Sequence, residues 1–209
     1  MIGSILKFFG CTSNKIKVNK QNNKEQTEFE QKIAKSLDEF QNRTIHKNLS
    51  IQIIDSTADD KLLQVVFDNL SEQLPKDYQK EYEFVTTKFN SSQQAIFLSW
   101  WLEGEVNNGG FNQYYTNSSG QYADLVPNLL TKIDAVKFSD LAKRANEIYK
   151  TNYKQITKEQ DGSLEGFSKS YENNPLNDID TEFYKLYEVE NLYDKQIKFI
   201  RNNKEDFVN

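Results

Sequence analysis

From residue 28 onward, apolar positions recur at the 3.6-residue period of helices, and no strand-like alternation of useful length appears. Phe29, Ile33, Leu37 and Phe40 form a first stripe. Ser56 or Thr57 is placed to cap a second helix, with Asp59 and Asp60 in its first turn, where the helix dipole favours negative charge. Leu62, Leu63, Val66, Phe67 and Leu70 make its buried side. Pro75 breaks the chain, and Tyr78, Tyr82, Val85 and Phe89 mark a third helix. Ser91 and Gln94 then spell a capping box ahead of A-I-F-L-S-W-W-L at 95–102. A helix so apolar on all sides must be covered on most of them, which places it at the centre of the domain.

Asn108-Gly109 reads as a helix stop, with Gly109 in the left-handed region. Gly110 can start a short turn through Tyr115, and Asn117 can end it in the same left-handed region. Ser118 and Gln121 repeat the S-x-x-Q box before Tyr122, Leu125, Val126, Leu129 and Ile133, with Pro127 predicting a kink or an early break inside that helix. Ser139 is placed to cap a helix carrying Leu141, Ala142, Ala145, Ile148 and Tyr149. Residues 157–178 hold Gly162, Gly166 and Pro175 with weak periodicity, a long and partly irregular connection. Asp180 can cap a last region, in which Phe183, Leu186 and Tyr187 precede Leu192, Tyr193, Ile197 and Ile200. The expected fold is all-α. A single multi-helix, bundle-like domain at 56–207 follows a helix and connection at 28–55 and a flexible basic segment at 1–27, whose stretch 12–27 is the linker.

Composition narrows the function more than the fold. The chain has 209 residues, of which 37% are apolar, and its 14 Phe and 11 Tyr supply the large surfaces a core needs. The net charge of −5 argues against non-specific binding to nucleic-acid phosphates, so no direct nucleic-acid contact is expected. Charge is uneven: residues 1–50 carry nine Lys/Arg against five Asp/Glu, while 159–194 carry ten acids against Lys169 and Lys185. Cys11 is the only cysteine and His46, in a polar stretch read as helical, the only histidine. Disulfides, cysteine zinc sites and two-histidine metal sites within one chain are therefore excluded, and no metal or other cofactor is expected. No apolar run reaches the length of a membrane span. The start, M-I-G-S-I-L-K-F-F-G-C, superficially suggests a lipoprotein signal ending at Cys11, but Lys7 interrupts a very short apolar segment. The expected location is cytoplasmic, with surface anchoring through Cys11 the alternative.

The chemistry concentrates in E-G-E-V-N-N-G-G-F-N-Q-Y-Y-T-N-S-S-G at 103–120. Helical spacing puts Glu103 and Asn107 on one face and Glu105 and Asn108 on another, and the chain reversal brings Gln113 and Asn117 back to the same helix end. Two carboxylates among amides suit a small polar ligand, a divalent cation, paired-carboxylate acid–base chemistry or a basic segment of a partner. The architectural reading stands beside these: a tight inter-helix turn needs amides to pair its backbone and glycines for close approach. A ligand-binding or enzymatic pocket around Glu103 and Asn107 therefore remains open as an alternative. The densest acids elsewhere, Asp178, Asp180, Glu182, Glu188 and Glu190, form the candidate surface for a basic partner.

The stretch W-W-L-E-G-E-V-N-N-G-G-F-N-Q-Y-Y-T-N-S-S-G, followed by D-T-E-F-Y-K-L-Y, resembles a bacterial family of all-helical domains that includes a DNA-mimic protein. The similarity spans about residues 60–205. Glu105, Asn107, Asn108, Gly109, Gly110, Phe111, Gln113, Asn117, Ser118 and Gly120 carry its signature, with Glu103 immediately before. The resemblance implies a cytoplasmic, non-enzymatic domain that acts by binding other proteins, with a basic or DNA-binding partner and homodimer formation among the expectations. A toxin-neutralising partner would use the same surface logic.

Overall fold

A computed structural model describes residues 22–208, with side chains from Glu30 onward. Cys11, the expected linker up to residue 21 and the side chain of Phe29 lie outside the described residues. Helix α1 (Asn22–Gln41) begins inside the stretch read as linker. Contacts divide the chain into residues 1–44 and 45–209. In the first unit, Ile33, Leu37 and Phe40 of α1 are each about 45% exposed, so the stripe is not covered there.

The second unit is all helix and turn, with no strand among the described residues. Its helices are α2 (Ile51–Ser56), α3 (Asp59–Glu72), α4 (Glu81–Lys88), α5 (Ser91–Thr116), α6 (Val126–Lys132), α7 (Val136–Thr151), α8 (Tyr153–Ile156), α9 (Leu164–Lys169), α10 (Asn177–Leu186) and α11 (Leu192–Asn202). As its apolar run predicts, α5 is the axis, with α3, α6 and α10 packed on it. Ala95, Ile96, Phe97, Leu98, Leu102 and Val106 are buried, and each large side chain among them stabilises the fold by about 1.5–3 kcal/mol. Phe67 of α3 stacks on Trp100, ring centroids 3.6 Å apart. Leu62, Leu63, Val66, Phe67 and Leu70 are buried as expected.

Several helix ends fall elsewhere than the sequence suggests, each for a local reason. The cap of α5 is Asn90, not Ser91: its Oδ1 accepts from the N–H of Ser92 and Gln93, and Gln93 Oε1 accepts from Asn90 N–H. Gln94 instead donates to Phe89 O. Thr57 closes α2 by donating to Ile53 O, and α3 starts after Ala58 without a side-chain cap. At Pro127 the expected interruption is a break and not a kink: the 3₁₀ turn ends at Tyr122 and α6 starts anew at Val126, with Pro127 in its first turn, where the missing N–H has no intrahelical bond to lose. Ser118 opens a 3₁₀ turn (Ser118–Tyr122) with no capping bond, and Asn117 is extended, not left-handed. Ser139 lies buried within α7, where its hydroxyl donates to Pro127 O and so ties α7 to α6. His46 lies in the connection before α2, outside any helix.

At the far end, Arg201 of α11 holds the α2–α3 connection. Its guanidinium donates to Ile54 O, to Thr57 O at 2.6 Å and to Asp59 Oδ1 at 2.6 Å. Tyr193 OH adds a bond to Asp59 O, so residues far apart in sequence form one seam.

Candidate functional site

The corner at 103–120 is a broken helix. Gly109 (φ −159°, ψ 30°) and Gly110 (φ 66°, ψ −176°) leave helical geometry, so α5 runs to Asn108 and resumes at Phe111. The positive φ falls on Gly110 and not on the expected Gly109; with ψ near 180° this region is accessible essentially to glycine alone. A break exposes carbonyls at one helix end and N–H groups at the next, and all must find partners.

Those partners come from residues 171–187. Tyr171 OH donates to Gly109 O and Tyr184 OH to Val106 O, both at 2.8 Å. Asp180 Oδ1 accepts from Phe111 N–H at 2.7 Å. Asp180 is thus no cap for its own helix: it lies inside α10 and caps the second half of α5. Asp180, Tyr184 and Tyr187 follow i, i+4, i+7 spacing, which puts all three on one face of α10. Burial pushes the Asp180 carboxyl above the usual carboxylate range, opposed by its bond to Phe111. The same cause pushes the Tyr171 phenol up to about 12.

The candidate carboxylates face inward as well. Glu105 is 8% exposed, and its Oε2 accepts from Gln113 Nε2 and Asn117 Nδ2, both at 2.7 Å. Asn108 Nδ2 donates to Gln113 Oε1 at 3.0 Å. Glu103 accepts from Tyr187 OH at 2.8 Å, and Asn107 Nδ2 donates to the same phenol at 3.1 Å. Burial raises the Glu103 carboxyl, while Tyr187 and Gln196 pull it back down. Phe111 is buried against Phe183, Tyr114 and Tyr115. A Cβ on Gly120 would stand 2.8 Å from Tyr115 O, and a Cβ on Gly109 2.3 Å from Gln113 Oε1. Ser118 is exposed at the start of the 3₁₀ turn.

The amides and carboxylates of the corner therefore bind one another and the broken backbone. Concavities on the second unit include one of about 410 Å³ along Lys150–Gln155 and one of about 150 Å³ among Tyr115, Asp124, Asn146 and Tyr149. Neither is lined by Glu103, Glu105 or Asn107. Among the described residues no group of three or more His, Cys, Asp or Glu side chains is arranged to hold a metal ion. No helix of these residues is long and apolar enough to cross a membrane.

The five candidate surface acids separate in the same way. Asp180 points inward. Glu182 takes a bidentate contact from Arg144 at 2.7 and 2.8 Å, which lowers its carboxyl below the ordinary range. Glu190 Oε2 accepts the N–H groups of Lys137 and Phe138 at the start of α7. Asp178 and Glu188 are exposed and have no ion-pair partner among the described residues. Residues that sequence periodicity does not single out complete the corner: Tyr171, Tyr184, and Asn112, whose Nδ2 donates to Ser170 Oγ at 2.8 Å. The face spacing of 180, 184 and 187 is a signal in the sequence for Tyr184 alone.

Fold and corner together define a class: an all-helical domain built on a central broken helix, its break closed by polar side chains from a later helix. The chain belongs to the DMP19-like protein family, whose model matches residues 87–203. This is the family the corner motif resembles. The match starts later than the resemblance from about residue 60, leaving α2, α3 and most of α4 outside, although Phe67 and the Arg201 seam join α3 and the α2–α3 connection to the matched region. No curated protein and no solved structure matches the chain.

Proposed function

We propose that the chain is a non-enzymatic interaction module that binds a basic, DNA-binding protein through carboxylates on its exterior, in the manner of a DNA mimic. One observation carries this reading. The polar groups of the corner are spent on one another, while exterior carboxylates at Asp60, Glu147, Glu172, Asp178, Glu188 and Asp194 have no ion-pair partner among the described residues. Family membership supports it through the resemblance to domains that include such a mimic. Unpaired exposed carboxylates keep their field, which steers a basic surface into contact and sets its register. Carboxylates already neutralised, such as Glu182 by Arg144, contribute less, so the contact surface centres on Asp178 and Glu188 and not on the whole acidic run.

The test is affinity capture of a basic DNA-binding protein from the native host, followed by titration of the purified pair. The expected result is binding that weakens steeply with added salt and is competed by the partner's own DNA duplex. Binding indifferent to both salt and duplex would overturn the proposal.

A further inference from the structure

Among the described residues of the first unit, α1 is the one helix, and it carries an apolar stripe that stays in solvent. Residues 30–42 are all exposed, and Ile33, Leu37 and Phe40 keep 44, 46 and 46% of their surface accessible. Sequence spacing extends the stripe to Phe29. A lone 20-residue helix is marginal in water, because helices draw most of their stability from packing an amphipathic face. Steps of four and three along one face are those of a helix–helix seam, and this seam has only one side.

The charges beside the stripe select what fits it. Lys32 and Glu39 lie seven residues apart, so helical spacing sets both on one flank, with Ser36 between them. The other flank holds Glu30, Ala34 and Gln41, while Lys35 and Asp38 fall on the far side. Two such helices packed antiparallel about a two-fold axis bring like flank to like flank. Lys32 of each copy then meets Glu39 of the other, and Glu30 meets the uncharged Gln41. Packed parallel, Glu39 would meet the flank of Glu30, Ala34 and Gln41, which holds no cation. Glu39 also stands 3.7 Å from Lys35 of its own helix, but both side chains are largely exposed and such a pair is weak. Arg43 lies over the Phe40 ring at 3.8 Å, so antiparallel packing carries its charge toward the end of the second copy that has Glu25 and Glu28 against Lys24. Residues 30–41 hold Lys32 and Lys35 against Glu30, Asp38 and Glu39, close enough to neutral for two copies to approach.

We infer that α1 is a self-association element, whose stripe packs antiparallel on the same stripe of a second copy of this chain. In that register Ile33 of each copy covers Leu37 of the other, and two Lys32–Glu39 pairs fix the alignment. Each chain contributes roughly three turns of helix, so the contact is small and its Kd on the order of 10 µM. The element lies outside residues 87–203 of the family match, and it stands whether or not the second unit binds a basic partner.

The experiment is sedimentation velocity on the full chain from roughly 1 to 200 µM, a range that brackets such a Kd. Emission from Trp100 and Trp101, both on α5, confirms that each variant keeps its second unit folded. The expected result is a passage from monomer to dimer across that range. Leu37→Asp puts a charge at the middle of the seam and weakens the dimer roughly 100-fold. Lys32→Glu and Glu39→Lys each set like charges face to face and weaken it roughly tenfold. Mixed together, these two variants pair with each other, and the double variant Lys32→Glu/Glu39→Lys recovers the wild-type constant. A chain that stays monomeric at the highest concentration overturns the inference. So does a dimer that Leu37→Asp leaves intact, or one that neither charge reversal weakens, because its contact then lies on another surface or in another register.

Discussion

Substituting Gly110 by alanine tests the corner most directly. The backbone at 110 has φ 66° and ψ −176°, where an L-residue is strained by about 1–3 kcal/mol. The new Cβ would stand 2.3 Å from Asp180 Oδ2 and 2.7 Å from its Cγ, so the carboxylate must move. Moving it breaks the bond to Phe111 N–H, and leaving that donor unpaired costs a further 1–3 kcal/mol or so. The two terms predict a loss of about 4 kcal/mol, a large share of the roughly 5–15 kcal/mol that holds a typical domain together. Urea unfolding followed by fluorescence of Trp100 and Trp101 reads the change, since both lie on α5 and are the only tryptophans. Repeating the substitution in an Asp180→Ala background isolates the clash. There the Gly110→Ala cost should fall to the backbone term alone, a coupling of about 1–3 kcal/mol. A Gly110→Ala variant within about 1 kcal/mol of wild type would refute the account of the corner as a strained break held by Asp180.

Three further outcomes are expected. Glu105→Ala leaves Gln113 Nε2 and Asn117 Nδ2 without their shared acceptor and lowers stability by about 2–4 kcal/mol in urea unfolding, with Glu105→Gln milder. Burial raises the Asp180 carboxyl above its unfolded value, so its contribution to stability is full below the ordinary range near 4 and is lost as pH rises through the raised folded value. Asp180→Asn keeps an oxygen for Phe111 N–H, so relative to wild type it should gain stability between acid and neutral pH; a constant difference across that range would count against this sign. Arg201→Ala should speed amide exchange at residues 51–60 while leaving 91–108 protected, because the guanidinium holds the α2–α3 connection from α11; uniform loss of protection would contradict a local role.

What was legible in the sequence was local. The 3.6-residue period of α3, α5 and α11 and the centrality of the tryptophan helix follow from side-chain apolarity alone, and the structure has them where the pattern puts them. The special character of the Asn-Gly-Gly stretch was visible too, since clustered amides and glycines announce a demanding turn. Cap positions slipped because neighbouring Asn, Ser and Thr residues compete for the same N–H groups, and the local sequence does not say which reaches them; Asn90 displaced Ser91 in this way.

Partners distant in the chain decided the rest. Asp180 looked like a helix cap or a surface acid, and only the packing of α10 on α5 turns it toward Phe111, 69 residues away. The carboxylates of Glu182 and Glu190 find their partners, Arg144 and the start of α7, for the same reason. Periodicity records which side of an element avoids water. It cannot record which other element arrives to satisfy a carboxylate or a freed carbonyl, because that depends on helices meeting in space. In this protein the helices were written along the chain, and the roles of its charged and amide side chains were assigned only when α10 closed over the break in α5.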